Sequence, residues 1–302
     1  MSKPGERPRS PGEFDLIAQY FTRPVRRAAL GVGDDCALLA VGAGMQLAVS
    51  CDMLVEGRHF LSTVPPERLG HKALAVNLSD LAACGAEPLA CTLALALPRA
   101  DEDFVAGLAH GLFALADEHG IELVGGDTTA GPLNICITVF GQVPSGQALL
   151  RSGARAGDDL WVSGSLGDAR LALEVFRGSV SLPGGAFETV RRAMELPQPR
   201  VALGLALRGV ASSAIDVSDG LVGDLGHVLQ RSGVGALLHA DALPRSAVLA
   251  QVPLALQRQC VLAGGDDYEL LFSAPADRRD AVLAAGRRAD VALTRCGEIV
   301  AG

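Results

Sequence analysis

The sequence predicts a mixed α/β (α+β) fold in two domains. Its 302 residues exceed the usual size of a single domain. Apolar runs of strand length interleave with helix-periodic runs in both halves. Between the halves, Pro144–Asp159 collects Ser, Gly, Arg and Asp, the composition of a linker. The expected division is a disordered, Pro-rich tail over 1–12, a first domain over 13–148 and a second over 149–302. Half the chain is hydrophobic (49%) and a fifth is charged (20%), enough apolar material for packed cores.

A helix begins near Glu13, because Phe14, Ile17, Ala18 and Phe21 fall on one face. Apolar segments split by Gly42 and Gly44 predict two strands in a hairpin over Cys36–Cys51. Leu74, Leu78 and Leu81 give Leu69–Ala83 helical spacing, and Leu89–Leu97 reads as a buried strand closed by Pro98. Phe104, Leu108, Leu112 and Leu115 make Asp101–His119 a helix, with strands over Ile121–Val124 and Leu133–Val143 after it. Beyond the linker come a strand (Leu160–Ser163), a helix from Asp168, a broken loop around Leu182–Gly185, and helices near 186–195 and 200–209. A strand (Ser213–Val217), a helix (Leu221–Arg231) and a strand (Gly235–His239) continue the alternation. Trp161 reads as core, and His71, His110, His227 and His239 as helix-surface or capping residues.

Composition excludes several roles. A net charge of −8 disfavours a basic nucleic-acid surface, and 4% aromatics leave little for base stacking. Seven cysteines, none in C-x-x-C spacing, suggest neither a disulfide framework nor a zinc ribbon; reduced thiols fit the cytoplasm. No apolar signal segment opens the sequence. The uncharged stretch Gly131–Leu150 carries Pro132, Asn134, Gln142, Pro144 and Gly146, which makes it strand and turn, not a membrane helix. Lys3 and Lys72 are the only lysines, so an anionic substrate would need metal ions or arginines.

The chemistry lies in apolar segments that end in a small residue and an aspartate. They are Gly33-Asp34-Asp35, Ser50-Cys51-Asp52, Asn77-Leu78-Ser79-Asp80, Gly125-Gly126-Asp127, Asp216-Val217-Ser218-Asp219 and Gly264-Gly265-Asp266-Asp267. One such pair is usually a turn or helix cap. Six at the mouths of apolar strands predict a shared ligand face. Converging carboxylates repel one another, so divalent cations are expected among them, and an oxygen-only donor set favours Mg²⁺. Mg²⁺ completes its shell with water and phosphate, which implies a metal-bridged nucleotide site. There is no G-x-x-x-x-G-K-[ST], no kinase H-R-D or D-F-G, and no G-x-G-x-x-G after a strand. Phosphates must then be held by metal, backbone amides and arginine, with Arg151 a candidate.

The segments Gly33–Ala37, Ser50–Phe60, Lys72–Ala83, Gly125–Thr129, Arg151–Ala154, Ser163–Ala169, Asp216–Leu221 and Gly264–Phe272, in this order, resemble thiamine-monophosphate kinase. The resemblance covers about Gly12 to Cys296. It implies a synthetase-like fold whose N-terminal sheets pair across a homodimer into a barrel, and ATP-dependent conversion of thiamine monophosphate to thiamine diphosphate. By that resemblance, Asp34, Ser50, Cys51, Asp52, Asp80, Asp127, Asp216 and Asp219 match Mg²⁺-ligand positions. Similarly, His119, Gly126, Asp127, Arg151 and Ser218 match ATP positions, and His59 and Glu269 match substrate positions. Asp219 and Arg151 are the residues it assigns to the catalytic step.

The chemistry agrees with that implication. A phosphate monoester with a second pKa of about 6 is a dianion near neutrality and needs no general base. Alignment and charge neutralisation then suffice. Glu269 would serve as counter-charge to the thiazolium or the aminopyrimidine. This sequence departs from the pattern at position 51, where Cys replaces a usual Thr. A thiol is a poor Mg²⁺ ligand, so any contact there would use the backbone carbonyl. His119 stands where relatives place a tyrosine near the adenine. An ATP-dependent synthetase on the same fold is the alternative reading.

Overall fold

The computed structural model describes residues 12–33 and 35–302, so the expected tail, Gly12 apart, and Asp34 lie outside the described residues. Glu13–Leu16 (α1) runs into a π-helical turn, Ile17–Phe21, and buries Leu16 and Phe21. The expected hairpin over Cys36–Cys51 does not form. Leu38–Leu39 (β2) pairs instead with Ala28–Leu30 (β1). Gly42 and Gly44 make the turn that launches a longer strand, Met45–Val55 (β3), with Met45 N–H donating to the Gly42 carbonyl at 3.1 Å. All eleven residues of β3 find antiparallel partners far along the chain in Asn134–Pro144 (β6), where Ser50 faces Val139 and Asp52 faces Ile137.

Pro66–Ala83 (α2), Glu87–Leu97 (β4), Glu102–His119 (α3) and Glu122–Ala130 (β5) complete the first half. Asp101 starts α3 by accepting the Phe104 N–H at 3.1 Å, and Gly120, left-handed at φ 62°, stops it. The first sheet runs β3-β6-β4-β5, with β4 and β5 its only parallel pair. Leu54, Leu93, Ile135 and Ile137 from this sheet share one core with α2 and α3. On the opposite face Leu47, Val49, Cys51 and Met53 of β3 are exposed. The helices cross so closely that a Cβ on Gly70 would stand 1.9 Å from the Leu108 carbonyl oxygen, and one on Gly111 1.8 Å from that of Glu67.

The second half comprises Asp158–Ser163 (β7), Asp168–Phe176 (α4), Gly184–Glu195 (α5), Val201–Leu207 (α6), Ser213–Asp216 (β8) and Leu221–Ser232 (α7). Val234–Leu238 (β9), Leu254–Ala263 (α8), Leu270–Pro275 (β10), Arg279–Ala289 (α9) and Leu293–Ala301 (β11) follow. Its sheet runs β8-β10-β7-β11-β9 and is antiparallel throughout. Leu160, Val162, Ile215 and Leu271 face a core shared with α4, α5, α7 and α8. Trp161, Ala214, Leu270 and Phe272, on the other face, join α6 and α9 to the core of the first half. Trp161 is thus core, as expected.

In this antiparallel sheet the end of one strand lies beside the start of its neighbour, so Asp216 at the end of β8 sits next to Leu270 at the start of β10, and the segments 217–219 and 264–269 meet at one edge. Among the described residues no helix is long and apolar enough to cross a membrane.

Candidate active site

A cleft of about 870 Å³ opens between the halves. Asp52, Asp80, Arg151, Asp216, Ser218 and Asp219 line it, with His59, Lys72, Arg170 and Asp266. The seam is one turn of α2. Asn77 accepts the Asp52 N–H on Oδ1 at 3.0 Å and donates from Nδ2 to Ala73 O at 3.0 Å. Ser79 Oγ donates to Asp216 Oδ2 at 2.7 Å, reaching the end of β8 in the second half. Asp80 Oδ2 accepts from Ser50 Oγ at 2.5 Å, reaching back to β3. Asp80 therefore comes from a helix and Asp52 from within a strand, not from turns at strand mouths. Asp216 fits the strand-end picture, and Asp219 follows it in the loop before α7.

Burial and like charge act together here. Burial first, then Asp80 and Asp219, push the Asp52 carboxyl up to about 6. Burial and then Asp80 push Asp216 to about 7. Burial raises Asp80 as well, opposed by the Ser50 hydroxyl and Arg151. These carboxylates are oxygen donors that gain by sharing a cation. Among the described residues, no three His, Cys, Asp or Glu side chains close into a ready-made metal cage. The arrangement is an open set along one wall.

Two loops complete that wall. Asp266 (φ 63°) and Tyr268 (φ 52°) are left-handed residues other than glycine, a strained turn held by Asp266 N–H to Ser218 O (2.7 Å) and Tyr268 N–H to Val217 O (2.9 Å). Lys72 Nζ reaches across from α2 to Asp266 Oδ2 (2.6 Å) and Met194 O (2.9 Å). Arg68 bridges to Glu188 (2.6 Å) and Glu195 (2.9 Å), and His71 Nε2 contacts Pro197 O at 2.8 Å. His71 is therefore a contact between the halves and not the surface residue expected.

The remaining sequence candidates are distributed differently. His59 lines the cleft, with Nδ1 accepting the Val55 N–H at 3.0 Å. Cys51 points to the opposite, exposed face of the sheet, its Sγ 3.4 Å from that of Cys136. Gly126 and Asp127 are exposed and do not line the cleft. The expected turn there is a bulged stretch of β5, where a Cβ on Gly126 (φ 149°) would stand 1.8 Å from Leu93 O. His119 ends α3 away from the cleft lining. Glu269, 5% exposed, is held by Arg200 (2.7 and 2.5 Å) and Ser163 Oγ (2.5 Å), so its charge is already met inside the second half.

Sequence reasoning assigned no role to Asn77, Ser79 or Lys72, nor a cleft-facing one to Asp266. The available signals were polar residues inside an apolar helical run and a lysine unique beyond position 3.

Residues 33–143 match AIR synthase related protein, N-terminal domain, and residues 155–302 match its C-terminal domain. Thiamine-monophosphate kinase of Salmonella typhimurium is 46% identical over 297 residues, spanning 96% of this chain and 91% of the relative. The crystal structure of thiamine-monophosphate kinase from Stenotrophomonas maltophilia K279a is 48% identical with a TM-score of 0.88, over 95% of this chain and 92% of that one. The structure of AaThiL complexed with AMPPCP and TMP is 29% identical with a TM-score of 0.78, over 87% and 84% of the two chains. The chain belongs to the thiamine-monophosphate kinase family, within the AIR synthase related proteins.

Proposed function

We propose that the cleft transfers the γ-phosphoryl group of ATP to the phosphate of thiamine monophosphate, yielding ADP and thiamine diphosphate, the last step in making that cofactor. The carrying observation is the α2 seam, which draws Asp52 and Asp80 of one half against Asp216 and Asp219 of the other, beside Arg151. The named relatives and the ligands of AaThiL support it.

The donor set fits Mg²⁺: oxygen only, crowded enough to raise its own carboxyls, and open enough to leave coordination for water and phosphate. Asp52, Asp80, Asp216 and Asp219 would hold it, with Ser50 orienting Asp80. Bound there, the metal would neutralise phosphate charge. The acceptor, a dianion near neutrality, presents an oxygen to the γ-phosphorus without a base. The bond from that phosphorus to the β–γ bridging oxygen breaks, and its electron pair leaves with ADP. Arg151 supplies a guanidinium for the transferred group, and Ser218 a hydroxyl for the nucleotide. His59 and the apolar wall of Phe60, Leu173, Phe176 and Met194 suit the thiamine rings.

In the same reading, the exposed strip of β3 pairs with a second copy as a homodimer barrel, and the protein works in the cytoplasm. Asp127, Gly126, Cys51 and His119 would act only through ligands that reach beyond the cleft described. The test is to incubate the protein with ATP, Mg²⁺ and thiamine monophosphate and quantify thiamine diphosphate by fluorescence after oxidation. One thiamine diphosphate per ADP is expected, abolished by a chelator. ADP release with another phosphate acceptor but no thiamine diphosphate would transfer the site to a different reaction.

A further inference from the structure

The loop before α7, Ser218–Gly220, is held by a carboxylate that does not itself line the cleft. Asp224, in the first turn of α7 and 3% exposed, accepts three backbone N–H groups on the single oxygen Oδ2. They belong to Ser218, Asp219 and Gly220, each at 3.1 Å. Three converging N–H groups at a helix start make a natural anion nest. Here the chain's own carboxylate occupies it, so the nest is closed to phosphate. From the other side, Asp266 N–H donates to Ser218 O and Tyr268 N–H to Val217 O. Gly220, at φ 116°, lets the chain turn from this loop into the helix. The Ser218 and Asp219 side chains are left to line the cleft.

We infer that Asp224 is a positioning residue: its carboxylate fixes the 218–220 backbone before any ligand arrives and so sets where Asp219 and Ser218 meet metal and nucleotide. This rests on the cleft being a metal–nucleotide site. A charged acceptor matters because ionic hydrogen bonds are about twice as strong as neutral ones. An asparagine keeps the shape but weakens all three.

The experiment compares wild type, Asp224→Asn and Asp159→Asn. Asp159 is a buried carboxylate held by Arg279 and Arg295 at the far end of β7, away from the cleft. For each protein, the Mg²⁺ concentration giving half-maximal binding of a non-hydrolysable ATP analogue is measured by calorimetry, alongside melting temperature. Asp224→Asn is expected to raise that concentration at least tenfold, while Asp159→Asn lowers the melting temperature and leaves it unchanged. Equal half-saturation for Asp224→Asn and wild type, or an equal rise in Asp159→Asn, overturns the assignment. Should Asp224→Asn fail to fold, hydrogen–deuterium exchange on ligand-free wild type decides. Peptides spanning 217–224 should be protected, and rapid exchange there refutes pre-organisation. Wild type that binds no analogue at any Mg²⁺ level would refute the site reading itself, a result distinct from either variant outcome.

Discussion

Asp266→Asn should destabilise the protein more than Lys72→Met, although the two residues form one ion pair at 2.6 Å. The asymmetry follows from exposure: the Lys72 side chain is 3% exposed, the Asp266 side chain 34%. Removing the lysine leaves a carboxylate that recovers water and a carbonyl, Met194 O, that loses one donor, about 1–2 kcal/mol in all. Removing the aspartate's charge strands an ammonium against neutral acceptors, which costs about 3 kcal/mol, the lower end for a broken buried pair. Asparagine tolerates the left-handed backbone at 266, so the comparison is free of turn strain. The sign of the coupling is the sharpest consequence. In wild type Lys72→Met is destabilising; in the Asp266→Asn background the same change removes the stranded charge and is stabilising by about 1–2 kcal/mol. Urea unfolding at pH 7 without metal or nucleotide, followed by circular dichroism and Trp161 fluorescence, measures all four proteins. Simple additivity of the two costs would refute the reasoning.

Metal-free protein should lose stability as pH rises from about 4 to 7, because Asp52 and Asp216, near 6 and 7 when folded, keep protons that the unfolded chain releases near pH 3.9. Melting curves at pH 4.5–7.5 should show a shallower fall with Mg²⁺ and in Asp216→Asn; parallel slopes in all three would count against it. Asp80→Asn should cut turnover more than about 100-fold with unchanged circular dichroism, and near-normal steady-state rates would remove Asp80 from the metal set. Gly111→Ala should cost about 2–3 kcal/mol of stability, read as a lower urea midpoint, since its Cβ meets Glu67 O at 1.8 Å and the helices must part. A gain from helix propensity instead would show that the α2–α3 crossing yields easily.

What could be read from sequence depended on how local its cause was. The start of α3 at Asp101 and its stop at Gly120 are local hydrogen bonding and backbone freedom, and so is its apolar face. The pairing of β3 with β6 is not local: Met45 and Pro144 are register partners across most of the first half, and no turn residue announces that. Gly125-Gly126-Asp127 has turn composition but lies in β5, because Gly126 lets two backbones approach where any side chain would collide with Leu93 O. Glu269 was legible as unusual and not legible as satisfied, since its partners Arg200 and Ser163 come from a separate helix approach and strand. For the cleft, residue types identified Asp52, Asp80, Asp216 and Asp219. Asp80 lies on the helix that its leucine spacing predicts, whereas Asp52 lies within β3 and not at a strand end, because a small residue before aspartate has the same composition in a turn or a strand.

Asn77 shows why that ambiguity is built into the site. β3 is an edge strand, and the Asp52 N–H finds its acceptor in the Asn77 side chain of α2. A leucine in that 0%-exposed position would pack as well as its neighbours Val76 and Leu78 but would orphan a backbone donor, a loss of about 1–3 kcal/mol. The same side chain sets the height of Asp52 against Asp80, and two residues later Ser79 sets Asp216. Polar residues placed within a helix that is otherwise a core element therefore bind the edge strand and aim the carboxylates by one set of bonds. A change that loosens the edge must also spread the acidic cluster, which ties the stability of β3 to the affinity of the cleft for its cation.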